Sequence, residues 1–127
     1  MNAAAALVLA VAALAGGGHS TQLRIALYPA GVGGDVETYT LRCAPAGGTV
    51  PAPGRACRTL AGLPHAFAPV PRNRVCTQIA GGPQEAIVTG TLDGRRVWAR
   101  LRLRNGCEID RWRRLATVVP GFGGATR

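Results

Sequence analysis

The chain of 127 residues contains no lysine and a single serine, Ser20. Without lysine it has no amine for Schiff-base chemistry and no phosphate-binding lysine of the P-loop type. Ser20 lies beside the predicted end of a leader segment, so a serine nucleophile is not expected in the folded part. These absences exclude several common kinds of covalent catalysis.

Acidic residues are also scarce, with six against 15 arginines and a formal net charge of +9. Glu108 and Asp110 are two apart on a predicted helix and do not share a face, whereas Asp35 and Glu37 share one face of a predicted strand. No convincing acid–base pair results, so we predict neither an enzyme nor a cofactor. The positive charge indicates a polyanionic partner or, as the simpler alternative, biased composition.

The N-terminal block Ala3–Ala15 lacks any polar or charged residue. It falls short of the roughly 20 apolar residues that a membrane-spanning helix needs, and it has the length of the apolar region of a signal peptide. A buried alanine-rich helix is the alternative. We predict a signal peptide at residues 1–15, a secreted, extracellular mature protein and no membrane segment in that mature form.

Cysteine use fits an exported protein, because four cysteines in a small exported chain predict two disulfides. They are Cys43, Cys57, Cys76 and Cys107. Four cysteines allow three pairings, and all three stay open on spacing alone. No Cys-x-x-Cys motif is present and histidines are few, so no metal site is predicted.

Apolar residues alternate with polar ones in four segments, which predicts β-strands. The segments are residues 22–28, 35–43, 85–92 and 95–104, and Asp93-Gly94 is a hairpin turn signal. Helices are predicted at 54–62 and from an N-cap at Asn105 to Pro120. The fold class is therefore α+β: an antiparallel sheet of about five strands with two short helices. The domain spans residues 16–120, and a flexible tail spans 121–127.

The strand at 95–104 has one apolar face, whereas its other face carries arginines beside Trp98. The arginines of that face are Arg96, Arg100, Arg102 and Arg104. Arginines beside an aromatic ring suit a polyanion, so a secreted basic binding module that uses this strand is an alternative function.

The segment from Arg72 to Glu85 predicts an extended, constrained loop. Cys76 precedes Gln78-Ile79, and Gly81-Gly82-Pro83 then turns the chain into the next strand. If Cys76 is tied to Cys107, the loop is held on both sides. Proteases bind extended backbone, and a loop already held in that shape loses little entropy on binding. These features are typical of a substrate-like inhibitor.

The chain resembles the bacterial subtilisin-inhibitor-like proteins over residues 23–115. The motifs that carry this resemblance are Thr40-Leu41-Arg42-Cys43, Pro53-Gly54-Arg55-Ala56-Cys57, Cys76-Thr77-Gln78-Ile79, Gly81-Gly82-Pro83-Gln84 and Asn105-Gly106-Cys107-Glu108. The resemblance implies a sheet with two helices, pairing of the first two and of the last two cysteines, and homodimers formed through the sheet.

The resemblance also implies the site residues. The reactive bond lies two residues beyond the third cysteine, so Gln78 is P1 and Ile79 is P1′. The other protease-contacting residues would be Val75, Cys76, Thr77 and Ala80. The expected partner is a subtilisin-like serine endopeptidase, and no nucleic acid is expected. The family often has Met or Lys at P1 and an aromatic residue at Ala80, so an inactive structural relative is the third hypothesis.

Overall fold

A computed structural model describes residues 20–123, which form one antiparallel sheet with two helices and two disulfides. The strands run in the spatial order β3-β2-β1-β4-β5, so that β1 is central. The elements in chain order are β1 (Thr21–Tyr28), β2 (Glu37–Cys43), β3 (Gly47–Gly48), α1 (Pro53–Ala61), β4 (Glu85–Leu92), β5 (Arg95–Leu101) and α2 (Gly106–Arg114). The predicted fold class is confirmed.

One face of the sheet carries the core. In β1, Leu23, Ile25 and Leu27 are buried while Gln22 and Arg24 are exposed. The period of two arises because successive side chains of a strand point to opposite faces. The same alternation continues in β4 and β5, where the buried residues are Ala86, Val88, Ala99 and Leu101. The opposite face is covered by nothing within residues 20–123, and we call it the open face.

Both helices pack on the core side. In α1, Ala56 and Leu60 are buried, and Cys57 is bonded to Cys43 of β2. In α2, the Asn105 side chain accepts a hydrogen bond from the Glu108 amide at 3.0 Å, as expected for an N-cap. Trp112 is fully buried and donates from Nε1 to the Val119 carbonyl at 2.9 Å.

The predicted end of the second helix at Pro120 is wrong, because α2 ends at Arg114. After Arg114 the chain forms tight turns, in which the Leu115 and Val118 amides donate to the Trp112 and Leu115 carbonyls at 2.9 Å. The turns bury Leu115, Val118 and Val119 against the core. The apolar residues after Arg114 are therefore spaced by their contacts with the core from turns, and their spacing does not indicate a longer helix.

The pairs Cys43–Cys57 and Cys76–Cys107 confirm the disulfides that the resemblance implies. The predicted signal peptide lies outside the described residues. Of the predicted tail, Gly121 and Phe122 accept hydrogen bonds from the Gln84 side chain, at 2.9 and 3.2 Å, and residues 124–127 lie outside the described part. No helix within residues 20–123 has the length and apolar character needed to cross a membrane.

Candidate functional site

The predicted reactive segment lies in a long connection between α1 and β4 that has no regular secondary structure. Val75 is 95% exposed and Ile79 is 61% exposed, and they are two of the five exposed large apolar residues among residues 20–123. Gln78 and Ala80 are exposed as well. The segment therefore presents its backbone and side chains outward, as binding in the cleft of another protein requires. We call residues 72–83 the reactive loop.

The N-terminal side of the Gln78-Ile79 bond is anchored at two successive residues. Cys76 is bonded to Cys107 with a Cα–Cα distance of 5.4 Å, and the Thr77 carbonyl accepts a hydrogen bond from the Gly106 amide at 2.9 Å. Both anchors lie in the first turn of α2. Because the helix is itself fixed by buried Trp112, the loop is held against a rigid element.

Gly106 leaves room for the Thr77 side chain. A Cβ atom at this position would overlap the Thr77 hydroxyl, whereas the Thr77 Cβ and backbone nitrogen would lie 3.4 and 3.7 Å away. A larger residue would therefore force the exposed Thr77 side chain to turn away from α2. The constraint comes from space and not from backbone angle, because Gly106 is helical.

The C-terminal side of the bond is anchored at Gly81. Its amide donates to the Leu103 carbonyl at 2.6 Å. A Cβ atom at Gly81 would lie 3.1 Å from Ile109 side-chain atoms and 3.2 Å from the Leu103 Cβ, so the backbone approaches closely there. Gly81 is three residues beyond Gln78, and the anchors therefore lie on both sides of the Gln78-Ile79 bond.

The Gln78 side chain folds back along its own loop. Its Nε2 donates to the Cys76 carbonyl at 3.1 Å. Because the side chain is exposed, water can replace this contact when the amide turns outward, and the net free-energy cost of breaking one such bond is about 1 kcal/mol.

The predicted residues Val75, Cys76, Thr77, Gln78, Ile79 and Ala80 thus form one exposed segment. Sequence reasoning missed the residues that hold it, namely Leu103, Gly106 and Ile109. For Gly106 a signal was present, since a glycine at the first position of a helix beside a cysteine leaves room for close approach of backbone. For Leu103 and Ile109 no signal was present, because an apolar residue in a strand or helix predicts only burial.

The arginine face of β5 is partly neutralised. Arg100 donates to Glu85 through Nη2 at 2.6 Å. The predicted strand end at residue 104 is wrong, because β5 ends at Leu101 and Arg102 and Arg104 follow it. Arg104 lies 4.0 Å from Glu108 of α2. Trp98 is 64% exposed on the same face. The strand register brings further arginines to the open face, because Arg24 of β1 lies opposite Thr89, which in turn lies opposite Trp98.

A metal centre is not formed in the part of the chain that the structure describes. Within residues 20–123 no three His, Cys, Asp or Glu side chains gather as a metal site would require, and all four cysteines are in disulfides.

Comparison with known proteins identifies the family. The family model described as "Subtilisin inhibitor-like" matches residues 3–105. The chain belongs to the subtilisin inhibitor-like family. Subtilisin inhibitor-like protein 1 of Streptomyces cacaoi is 39% identical over 80 residues, which cover 59% of this chain and 72% of that protein.

A solved structure is also similar. It is the crystal structure of Streptomyces caespitosus sermetstatin in complex with Bacillus licheniformis subtilisin. The identity is 28% and the TM-score is 0.43, with 74% of this chain and 90% of that chain covered.

The predicted family is therefore confirmed. The prediction of a subtilisin-type protease inhibitor rather than an enzyme is confirmed at the level of the family. The reactive bond, the contacting residues and the homodimer stay predictions.

Proposed function

We propose that this chain is a secreted, substrate-like inhibitor of subtilisin-type serine endopeptidases, with Gln78-Ile79 as its reactive bond. One observation supports this assignment of residues. This chain belongs to the family, and its Gln78-Ile79 bond lies at an exposed position with a disulfide and a hydrogen bond on one side and a hydrogen bond on the other. The contacting residues would be Val75, Cys76, Thr77 and Ala80, together with the two residues of the bond.

The anchors favour tight binding because the loop is ordered before it meets the protease. Fixing the backbone of one residue costs roughly 1–2 kcal/mol in conformational entropy. A free peptide incurs this cost for each residue that enters the cleft. In this chain the Cys76–Cys107 disulfide and the Thr77 and Gly81 hydrogen bonds have already restricted the segment. More of the contact energy then remains as affinity.

The same anchors oppose release after cleavage. If the protease cuts after Gln78, the new carboxyl end stays tied through Thr77 and Cys76, and the new amino end stays tied through Gly81. Held ends have a high effective concentration, which favours resynthesis of the peptide bond. Slow net hydrolysis is therefore expected, and this behaviour separates an inhibitor from a substrate.

The P1 residue points to the class of protease. Gln78 is long and uncharged, so it lacks the cation that pairs with the aspartate of a trypsin-type S1 pocket. A broad S1 pocket that accepts an uncharged chain suits it better. The partner we propose is accordingly subtilisin-like and not trypsin-like.

Secretion and dimerisation are part of the same proposal. The two disulfides support an oxidising, extracellular location, since such bonds rarely persist in the cytosol. The homodimer would form through the open face, which nothing within residues 20–123 covers.

The experiment is a titration of subtilisin activity with the purified mature domain. We expect a linear fall to zero near one domain per active site, and a weaker effect for Gln78→Gly. The matched control is Asn73→Gly, which makes the same kind of change at an exposed loop residue upstream of Val75. The control should inhibit like the wild type.

Mass analysis of the titration mixture completes the test. Intact domain after long exposure, or slow appearance of one clip between Gln78 and Ile79, agrees with the proposal. Rapid and complete clipping at that bond would make the chain a substrate with a decayed loop. An untouched domain beside fully active protease would point to another partner.

A further inference from the structure

A cavity of about 250 Å³ lies between the connection that follows α1 and the C-terminal half of α2. Twelve residues line it, and none of them is Asp or Glu. Its polar lining consists of Arg74, Arg111, Arg114 and His65. We call it the arginine cavity. Arg74 belongs to the start of the reactive loop, but neither residue of the Gln78-Ile79 bond and no residue of the sheet lines the cavity.

The innermost of these arginines is unusual because it is buried. Arg111 is 7% exposed, and its Nη1 and Nη2 donate to the Arg100 and Phe67 carbonyls, both at 2.9 Å. Its Nε is buried and has no hydrogen-bond partner among residues 20–123. Burial lowers the pKa of Arg111, whereas the nearby Glu108 acts in the opposite direction. A buried cation with incomplete pairing is costly unless negative charge is close.

The nearby carboxylates do not supply enough negative charge. Glu108 lies 3.7 Å from Arg111 Nη1 and is shared with Arg104. Asp110 is shared between Arg113 and Arg114, at 3.4 and 3.3 Å. No carboxylate within residues 20–123 is in ion-pair contact with Arg74. Two carboxylates, Glu108 and Asp110, are thus shared among four arginines, and Arg74 has none in the described part of the chain. The arginine cavity therefore carries a net positive charge.

The cavity wall is stiff and preformed. Three prolines line it, namely Pro64, Pro69 and Pro71. The Ala68 amide donates to the His65 carbonyl at 3.0 Å, and the Arg74 amide donates to the Pro71 carbonyl at 3.1 Å. Such turns fix the walls, while the side chains of Arg74 and Arg114 are exposed at the cavity and can turn towards a bound group.

We propose that the arginine cavity binds a doubly charged oxyanion of the phosphate class. Guanidinium groups match the geometry of such oxyanions with paired N–H donors. A water molecule occupies about 30 Å³ in the liquid, so the volume admits a tetrahedral oxyanion with some hydration. The bound anion would link Arg74, next to Val75 of the reactive loop, to Arg114 of α2. The site does not depend on the proposed inhibitory function.

The test is a titration of the mature domain with inorganic phosphate, in which the amide chemical shifts are measured at each phosphate concentration. Chloride is the balancing anion that keeps the ionic strength constant. We expect saturable shifts confined to residues 65–74 and 111–115. Arg74→Gln and Arg114→Gln should each raise the Kd about tenfold, as expected for loss of one charge-assisted contact. Both side chains are exposed, so the variants should fold.

The matched control is Arg113→Gln. Arg113 shares Asp110 with Arg114 but does not line the arginine cavity, so the Kd should change less than twofold.

A second titration uses glycerol phosphate. If it binds more tightly than phosphate, the site takes the phosphoryl group of a larger molecule. If it binds equally or more weakly, the site takes the free anion. Shifts that do not saturate, or an equal loss in Arg113→Gln, would mean an adventitious ion only and would overturn the proposal.

Discussion

At the scale of the single residue, a glycine determines how closely the reactive loop approaches its support. A Cβ atom at Gly106 would overlap the Thr77 hydroxyl. Its amide also donates to the Thr77 carbonyl. One residue therefore provides both the space and the hydrogen bond that hold the residue before Gln78.

We predict that Gly106→Ala converts the inhibitor towards a substrate. The added methyl group overlaps the Thr77 hydroxyl and forces the side chain of the residue before Gln78 to turn. A misplacement of about 1 Å near a reacting bond can change rates by about 100-fold. The inhibition constant should rise at least tenfold, and cleavage at Gln78-Ile79 should accelerate. Enzyme titration and mass analysis measure both effects.

Gly123→Ala is the control for this prediction. Within the described residues, a Cβ at Gly123 would meet nothing within 4 Å, so inhibition should be unchanged. Inhibition by Gly106→Ala that matched the wild type would show that the loop tolerates displacement.

Tyr39 gives a prediction of pH dependence. Its hydroxyl donates to Glu37 Oε1 at 2.9 Å, and this bond, with burial and the Glu37 charge, raises the tyrosine pKa. Since the folded pKa lies above the unfolded value of about 10, the contribution to stability is complete below pH 10. It is lost as the pH rises through the folded pKa.

A spectrophotometric titration of tyrosine ionisation tests this prediction. In Glu37→Gln the apparent pKa of Tyr39 should fall, and the difference in stability from wild type should shrink above pH 10. Tyr39→Phe identifies which ionisation belongs to Tyr39. An unchanged titration curve in Glu37→Gln would contradict the assigned cause.

At the scale of the element, the two disulfides have different tasks. Cys43–Cys57 joins β2 to α1, and Cys76–Cys107 joins the reactive loop to α2. They close loops with sequence separations of 14 and 31. In the chain-entropy model each contributes about 3–4 kcal/mol to the free energy of unfolding. Their effects on stability should therefore be similar, and their effects on inhibition should differ.

We predict that Cys76→Ala/Cys107→Ala abolishes durable inhibition while Cys43→Ala/Cys57→Ala retains it. Both double variants should unfold at lower temperature, and activity must be assayed well below both midpoints. Calorimetry measures stability, and subtilisin titration measures inhibition. Equal loss of inhibition in both variants would mean that inhibition follows overall stability and not the local anchor.

At the scale of the whole molecule, the charge distribution bears on dimerisation. The open face carries Arg24 near its centre and Arg96 near its edge, with threonines between them. A dimer through this face would bring like charges together. Salt screens such repulsion between exposed groups, with a Debye length of about 10 Å at 0.1 M.

We therefore predict that the dimer is favoured by added salt and by Arg24→Gln. Sedimentation equilibrium at several salt concentrations measures the dissociation constant, and Arg55→Gln is the control because Arg55 is exposed on α1 and off the open face. A monomer under all conditions would reject the dimer. A dimer weakened by salt would place attractive charges at the interface.

The sequence by itself determined four of the five strands and the hairpin, because these follow from local physics. Alternation with period two marks a half-buried strand, and Asp93-Gly94 adopts the positive φ angles of 51° and 82° that a tight hairpin turn needs. The proposed reactive bond also rests on a local pattern, since Gln78 and Ile79 lie beside Cys76 in the chain. Family motifs added the pairing of the cysteines, which spacing left open.

Only the tertiary structure decided what supports the loop and where α2 ends. Leu103, Gly106 and Ile109 are 22 or more residues from Gly81 in the chain, and their contacts depend on how β5 and α2 pack. The helix ends at Arg114, and the turns that follow bury Leu115, Val118 and Val119 in the core. The arginine cavity also depends on tertiary structure, because distant segments of the chain must pack together to bury Arg111. The number of arginines in the sequence does not predict which of them lie close together.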